Sequence, residues 1–288
     1  MRGRGEKKTN FQMLFSNNRG AYVSLWFLLF ISGVSLIGAF FIDTSQLMRV
    51  DLTRITEPPS AQYWLGTDHG GRDVFNQLVL GTRHSLAVAF LVTILSGVIG
   101  GVFGLLSGYM GGRIDYVMMR IIDFFQTLPF IMIVIVFVAL VPTYNVLSFS
   151  IVMTVFLWMP IARVVRAQVL KEKEMMYIQA SKTLGTPAFK IMTKQLLPNV
   201  MSVWIVSMTL NLALNMGLES GLSFLGFGFP PDAPSLGTLL SYAQSPSNLE
   251  YYWWLWLPAA LLIFFIILSI RQLGEMIHLH FNEKKGGE

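Results

Sequence analysis

Charge-free apolar runs alternate with polar stretches along almost the whole chain. The first, over residues 24–42, is long enough to cross roughly 30 Å of hydrocarbon as a helix. Runs at about 85–106, 124–141, 146–162, 200–218 and 252–270 predict five more spans. The pattern is that of an all-α integral membrane protein with six transmembrane helices. A basic segment precedes the first run, as in a secretory signal, but Phe40, Phe41, Ile42 and Asp43 make a poor cleavage site, so the run reads as an uncleaved anchor.

Between the fourth and fifth runs lies a polar insert, residues 176–199. Helix formers from Tyr177 to Leu184 predict a short helix, and Gly185 follows where a left-handed C-terminal residue sits. Thr186 suits an N-cap and Pro187 a first helical position. Phe189, Ile191, Met192, Leu196 and Leu197 then recur at helical spacing as far as Pro198. Lys182, Lys190 and Lys194 fall on solvated faces. Pattern alone leaves two readings, an amphipathic linker on the lipid headgroups or a helix-turn-helix offered to a partner.

Composition agrees with the spans. The 288 residues are 53% hydrophobic and 13% charged, against about a quarter charged for a soluble domain. Without cysteine there is no disulfide, thiolate metal site or iron–sulfur cluster. The four histidines, His69, His84, His278 and His280, are spaced against a shared metal and read as solvated or interfacial. The net charge of +5 is laid out asymmetrically: 17 of the 21 lysines and arginines fall on the side of the N-terminus. That bias places the N-terminus, residues 163–199 and the C-terminus in the cytoplasm. It also accounts for the basic balance without nucleic acid.

Several stretches carry candidate chemistry. In 65–86, Asp68 can cap a turn, Gly70 and Gly71 permit tight backbone, and Val74, Phe75, Leu78 and Val79 predict a short amphipathic helix on the outer face, ended by Gly81. Gly97 with Gly101, and Gly100 with Gly104 and Gly108, recur four apart, a spacing that lets helix backbones approach closely. Asp115 and Asp123 bracket Arg120, which can pair with Asp123 on one helix face. Glu219 adjoins the core of the fifth run, where an ionised carboxylate must be paired, protonated or facing water. Gly226, Gly228, Pro230 and Pro231 predict an irregular outer loop after it, and Tyr251, Tyr252, Trp253, Trp254 and Trp256 an aromatic belt at the outer interface. There is no phosphate-cradling P-loop, paired catalytic carboxylates or nucleophile elbow, so the chain is expected not to be an enzyme.

Ala180, Ser181 and Gly185, with the Leu197, Pro198, Asn199 ending, resemble the EAA motif of ABC importer permeases, with Gln179 in the acidic position and Gln195 where a basic residue is common. Residues 65–86 are similar to the Leu-Gly-Thr-Asp, Gly-Arg-Asp and Gly-x-Arg-x-Ser-Leu pattern of the dipeptide, oligopeptide and nickel branch. Residues 108–129 are similar to a further family run, and Glu219 stands where the family shows a similar Glu before Ser-Phe-Leu-Gly. Together these cover roughly 62–275, while the tail from Arg271 departs from the usual ending.

The resemblance implies a type I ABC importer permease fold with cytosolic coupling helices, as the second (C-type) membrane component. It divides the chain into a basic cytosolic tail 1–22, a first helix 23–42, an extracytoplasmic loop with interfacial helix 43–83, an ABC transmembrane type-1 core 84–275 with coupling loop 163–199, and a cytosolic tail 276–288. It assigns ATPase coupling to Gln179, Ala180, Ser181, Leu184, Gly185, Pro187, Leu197 and Pro198. Glu219 becomes a translocation-path candidate, beside the plainer reading of hydrogen bonds that stabilise the fold. The implied partners are a sister permease in a heterodimer, two cytosolic ABC ATPases that bind the ATP and Mg, an extracytoplasmic substrate-binding protein and the bilayer. This chain itself would hold no cofactor or metal. The expected machine sits in the bacterial cytoplasmic membrane and imports di- and oligopeptides, with nickel or another chelated metal as the alternative cargo. A secondary transporter or channel, and a membrane scaffold, are the rivals from other classes.

Overall fold

The computed structural model describes residues 19–141, 144–229 and 233–286. Arg2, Arg4, Lys7 and Lys8 of the basic tail, and Pro230 and Pro231 of the expected loop, lie outside the described residues. The described residues form helices α1 (Arg19–Phe41), α2 (Val74–Met110), α3 (Gly112–Thr127), α4 (Phe130–Leu140), α5 (Val146–Leu157) and α6 (Met159–Glu172). After these come α7 (Met176–Thr183), α8 (Ala188–Ile191), α9 (Leu197–Phe224), α10 (Leu236–Leu240), α11 (Pro246–Tyr251) and α12 (Leu257–Gly286). Four stretches are continuous helices long and apolar enough to cross a membrane, and two more are bent pairs, giving six crossings if each pair is one.

Two of the six expected spans are bent. The third run breaks by 68° between α3 and α4. Pro129 drives Leu128 into extended backbone and has no N–H to continue the ladder. The fourth run bends by 45° between α5 and α6, where Pro160 enters the first turn of α6.

Two expectations fail for packing reasons. Gly81 does not end a short helix, because Asp73 caps α2 through Phe75 N at 2.8 Å and the helix then runs unbroken for 37 residues. Gly81 instead lies against the backbone of Ser235, which a Cβ would meet at 2.9 Å. Nor does the second helix of the polar insert stop at Pro198. The turn Met192–Leu196 widens to π geometry, with Leu197 N–H reaching back to Met192 O, and the helix passes through a proline that has no N–H to offer.

Helix α2 is the central member, with α6, α9, α5 and α1 around it. Its glycines form two rows aimed at two different helices. A Cβ on Gly100 would lie 2.5 Å from Trp158 O, one on Gly104 2.5 Å from Ala162 O, and one on Gly108 2.8 Å from Val169, all at the α5–α6 junction or on α6. Gly97 and Gly101 instead receive Met208 and Trp204 of α9, and Trp204 Nε1 donates to Gly97 O at 3.0 Å. Asn215 of α9 donates to Thr93 of α2 at 2.9 Å. At the periphery, α1 lies on α12, with Phe27 edge-on to Phe265 and Ser24 Oγ donating to Gln272 at 2.6 Å.

The prediction is direct. Gly104→Val places branched carbons inside the backbone of α6 and costs about 1–3 kcal/mol, read as a drop of several degrees in the detergent-solubilised melting temperature. Gly33→Ala, with nothing within 4 Å of the new Cβ, leaves the melting temperature unchanged or slightly raised.

Candidate functional site

The polar insert folds as an elbow between α6 and α9. After Glu172 the chain turns into α7, and Met175 N–H bonds back to Glu172 O at 3.1 Å. Helix α7 closes on Leu184, and Gly185 takes φ +77°, the left-handed conformation that only glycine adopts without cost. Thr186 N–H returns to Ser181 O at 3.0 Å, closing the helix end. Pro187, not Thr186, holds the N-cap position of α8, with extended ψ of 140°, so the expected cap and first residue shift by one place.

The elbow has its own core. Ile178, Ile191, Leu196 and Val200 are fully buried against Ile161, Val165 and Val169 of α6. Hydrogen bonds cross-brace it. Gln195 Nε2 donates to Ser181 Oγ at 2.9 Å, and Gln179 Nε2 donates to Lys173 O at 2.9 Å. Tyr177 links both arms, donating to Glu172 at 3.0 Å while accepting from Asn199 Nδ2 at 2.8 Å. Partial burial, then the Glu172 carboxylate, pushes the Tyr177 phenol up, so it stays a neutral donor.

The base of the elbow is ionic. Arg166 holds Asp115 of α3 in a two-pronged pair, 2.5 Å on each prong, and Ser107 also donates to that carboxylate. Arg163 reaches Asp123 at 2.7 Å, closer than the 3.9 Å pair with Arg120 that helical spacing suggests. Lys173 Nζ donates to Gly108 O at 2.9 Å. Neither arginine was legible beforehand, since the partners are 51 and 40 residues apart.

Among the side chains the elbow leaves outside, between its lysines, are large apolar ones. Met176 is 90% exposed, Leu184 85% and Phe189 74%. Phe189 therefore does not share the buried face of Ile191 and Leu196. Among the sequence candidates, Leu184, Gly185, Pro187 and Ala180 lie on this exposed crown, Gln179 and Ser181 brace it, and Leu197 and Pro198 form its root on α9.

Glu219 sits at the far end of α9, fully buried. Its carboxyl group accepts from Ser223 Oγ at 2.8 Å and Ser220 Oγ at 3.3 Å, with the Ser85 and Ser235 hydroxyls beside it. It faces hydroxyls rather than open solvent, which is the fold-stabilising alternative that sequence left open. Asp68 does more than cap a turn: it accepts from Gly70 N, Arg72 N, Gln77 Nε2 and Tyr242 OH at 2.8–3.0 Å. Burial, then this carboxylate, pushes the Tyr242 phenol up. His84 and His69 are not merely solvated. His84 Nδ1 lies 2.7 Å from Pro234 O, and His69 Nε2 2.9 Å from Asn248 Oδ1. Of the expected aromatic belt, Trp253 and Tyr251 remain exposed, but Trp254 is buried and donates to Thr67 O at 3.3 Å.

With this geometry in hand, comparison with known proteins is specific. The family model described as "Binding-protein-dependent transport system inner membrane component" matches residues 100–280. The oligopeptide transport system permease protein OppC of Lactococcus lactis subsp. cremoris is 39% identical over 258 residues, covering 89% of this chain and 88% of that protein. The dipeptide transport system permease protein DppC of Bacillus subtilis is 40% identical over 254 residues, covering 88% and 77%. Among solved structures, an inward-facing MetNI methionine ABC transporter matches with a TM-score of 0.53 and 21% identity, over 71% of this chain and 95% of that one, a likeness of fold. The all-helical bundle, its elbow and these matches agree: the chain belongs to the family of binding-protein-dependent transport system inner membrane components, as a multi-pass permease subunit of an ABC importer.

Proposed function

We propose that this subunit forms half of the translocation path of an ATP-driven peptide importer and receives force from a separate ATPase through its elbow. The observation that carries the reading is the exposed crown of Met176, Leu184 and Phe189 on a core that is fully buried and rooted in two spans. Large apolar side chains left in water on a braced, protruding turn are what a partner groove can bury, each contributing about 1.5–3 kcal/mol. Gln179, Ala180, Ser181, Leu184, Gly185, Pro187, Leu197 and Pro198 are assigned to this coupling surface or its root. The base pairs Arg166–Asp115 and Arg163–Asp123 tie α6 to α3, so a push on the crown moves several spans together.

The ATPases bind ATP and Mg. A sister permease completes the path, and an extracytoplasmic binding protein delivers the cargo. The lysine and arginine bias supports an orientation with the elbow and both termini in the cytoplasm and the Glu219 end outside, in a bacterial cytoplasmic membrane. On this orientation we divide the chain into tail 1–22, first helix 23–42, outer loop 43–83, whose last part is already the first turns of α2, core 84–275 and tail 276–288. Peptides are favoured over chelated nickel because the relatives named above are an oligopeptide and a dipeptide permease.

Three outcomes test the reading. Vesicles holding the whole transporter take up a labelled peptide only with ATP and the binding protein; uptake without ATP returns the chain to the secondary-transporter class. Leu184→Asp and Phe189→Asp each remove about 2 kcal/mol of apolar contact, so the ATPase co-purifies with roughly thirtyfold weaker affinity while the variant inserts normally. Gly185→Val forces a branched residue into left-handed backbone, where glycine has open space but no competitor has the conformation. Peptide uptake is lost while membrane insertion persists, as followed by transport assay and membrane fractionation; unchanged uptake refutes the coupling role.

A further inference from the structure

The elbow and Glu219 lie at opposite ends of the same helix. From Leu197 to Glu219 is 22 residues, about 33 Å of helix rise. At the far end, residues 233–248 fold back as a cap containing α10 and α11, and together with Gly228 they approach the spans closely. Gly237 lies where a Cβ would meet Ser220 O at 2.4 Å, Gly228 presses on Ser223, and Gly81 of α2 presses on the Ser235 backbone. Leu236 and Leu239 are buried in the same core as Leu78, Leu86 and Met216. Tyr242 bonds Asp68, His84 bonds Pro234 O, and Tyr144 donates to Gly228 O.

Glu219 is the point where α2, α9 and the cap meet. The four hydroxyls around it come from α2 (Ser85), from α9 (Ser220 and Ser223) and from the cap (Ser235). Ser223 and Ser220 donate to its carboxyl group, and these are the two residues on which Gly228 and, from the cap, Gly237 press. Ser85 Oγ takes Leu236 N–H at 3.1 Å, tying α2 to the cap, and Ser235 Oγ takes Thr238 N–H at 3.1 Å. Among the described residues no basic side chain is bonded to Glu219.

We propose that Glu219 is a positioning residue for transport, welding the cap to α2 and α9 so that elbow displacement reaches the outer face as rigid-body motion. The proposal rests on the transport reading above. It also predicts that the cap is not a flap with its own hinge, because its backbone touches both helices at glycines and has no room to slide.

The absence of cysteine allows specific spin labelling at introduced pairs. Labels at Ser247→Cys on the cap and Ile94→Cys on α2, both exposed, report whether the two move as one. In the complete transporter the label distance is expected to be narrow and identical with and without ATP, and to broaden in Glu219→Gln. The same variant is expected to keep its ATPase rate within twofold while peptide taken up per ATP hydrolysed falls at least tenfold. Ser235→Ala, which removes one hydroxyl of four, should lower that ratio about threefold and serves if Glu219→Gln does not assemble. A wild-type distance that shifts with nucleotide overturns the proposal, as does a normal ratio in both variants. A proportional loss of uptake and ATP hydrolysis also overturns it, since that is what a merely structural residue gives. If wild-type vesicles show no ATP-driven uptake, the transport reading fails, and the label distances still decide whether cap and α2 are one body.

Discussion

The constraint on which the architecture depends is that helices in lipid gain nothing from hiding apolar surface from one another, because the lipid is as apolar as they are. Association must come from close packing and from polar contacts that lipid cannot supply. Helix α2 meets both demands. Gly100, Gly104 and Gly108 strip one face to backbone, so the carbonyls of Trp158 and Ala162 approach to distances that any side chain would forbid. Gly97 and Gly101 strip a second face, and there α9 fills the space with Trp204, whose indole N–H finds Gly97 O. The same device serves two purposes, backbone contact with α6 and aromatic insertion from α9.

That arrangement explains the polar chemistry at the two ends of the bundle. At the elbow end the seams open toward water, and the chain uses full charges: Arg166 with Asp115, Arg163 with Asp123, Lys173 on a carbonyl. The Arg163 pair is about half exposed and contributes little by itself, whereas the two-pronged Arg166 pair is partly buried and fixes an angle between α3 and α6. At the cap end the seam is closed, and one carboxyl group is surrounded by neutral hydroxyls from three elements, two of them hydrogen-bonded to it. Asp68 repeats that solution with backbone N–H groups, an amide and a phenol. Rigid joints without bulky counter-ions suit a region where glycines already bring backbones together.

How much of this the sequence disclosed follows from distance along the chain. The spans, the glycine spacing and the Gly185 turn are local patterns, and they reappear as helices, packing rows and a left-handed residue. The two bends were legible in principle, since Pro129 and Pro160 interrupt their runs, yet hydropathy averages over a proline. The π-turn before Pro198 could not be read, because it depends on tertiary packing of Leu196 and Val200 against α6. Asp115 and Asp123 were visible as acids, but their arginines arrive from another helix. Glu219 stood out as a charge in an apolar run, and its companions did not, for serine in a span reads as small packing residue until the fold collects four of them.

The family membership and the geometry answer different questions. Relatives at 39–40% identity establish what kind of subunit this is, while the likeness to the methionine transporter, at 21%, speaks for the fold. Neither says how force would travel. The structure adds that both arms of the elbow, α6 and α9, continue directly onto the two glycine rows of α2. A displacement of the crown therefore cannot be absorbed by one span alone. It must either tilt the α2, α6 and α9 trio together or break backbone contacts, and close-packed interiors resist intermediate deformations of that kind. The bends at Pro129 and Pro160 are then the places where compliance remains, and α4, beyond the first of them, is the element freest to change angle, since α5 is held on α2 by Phe149 and Met153 against Val88 and Val92.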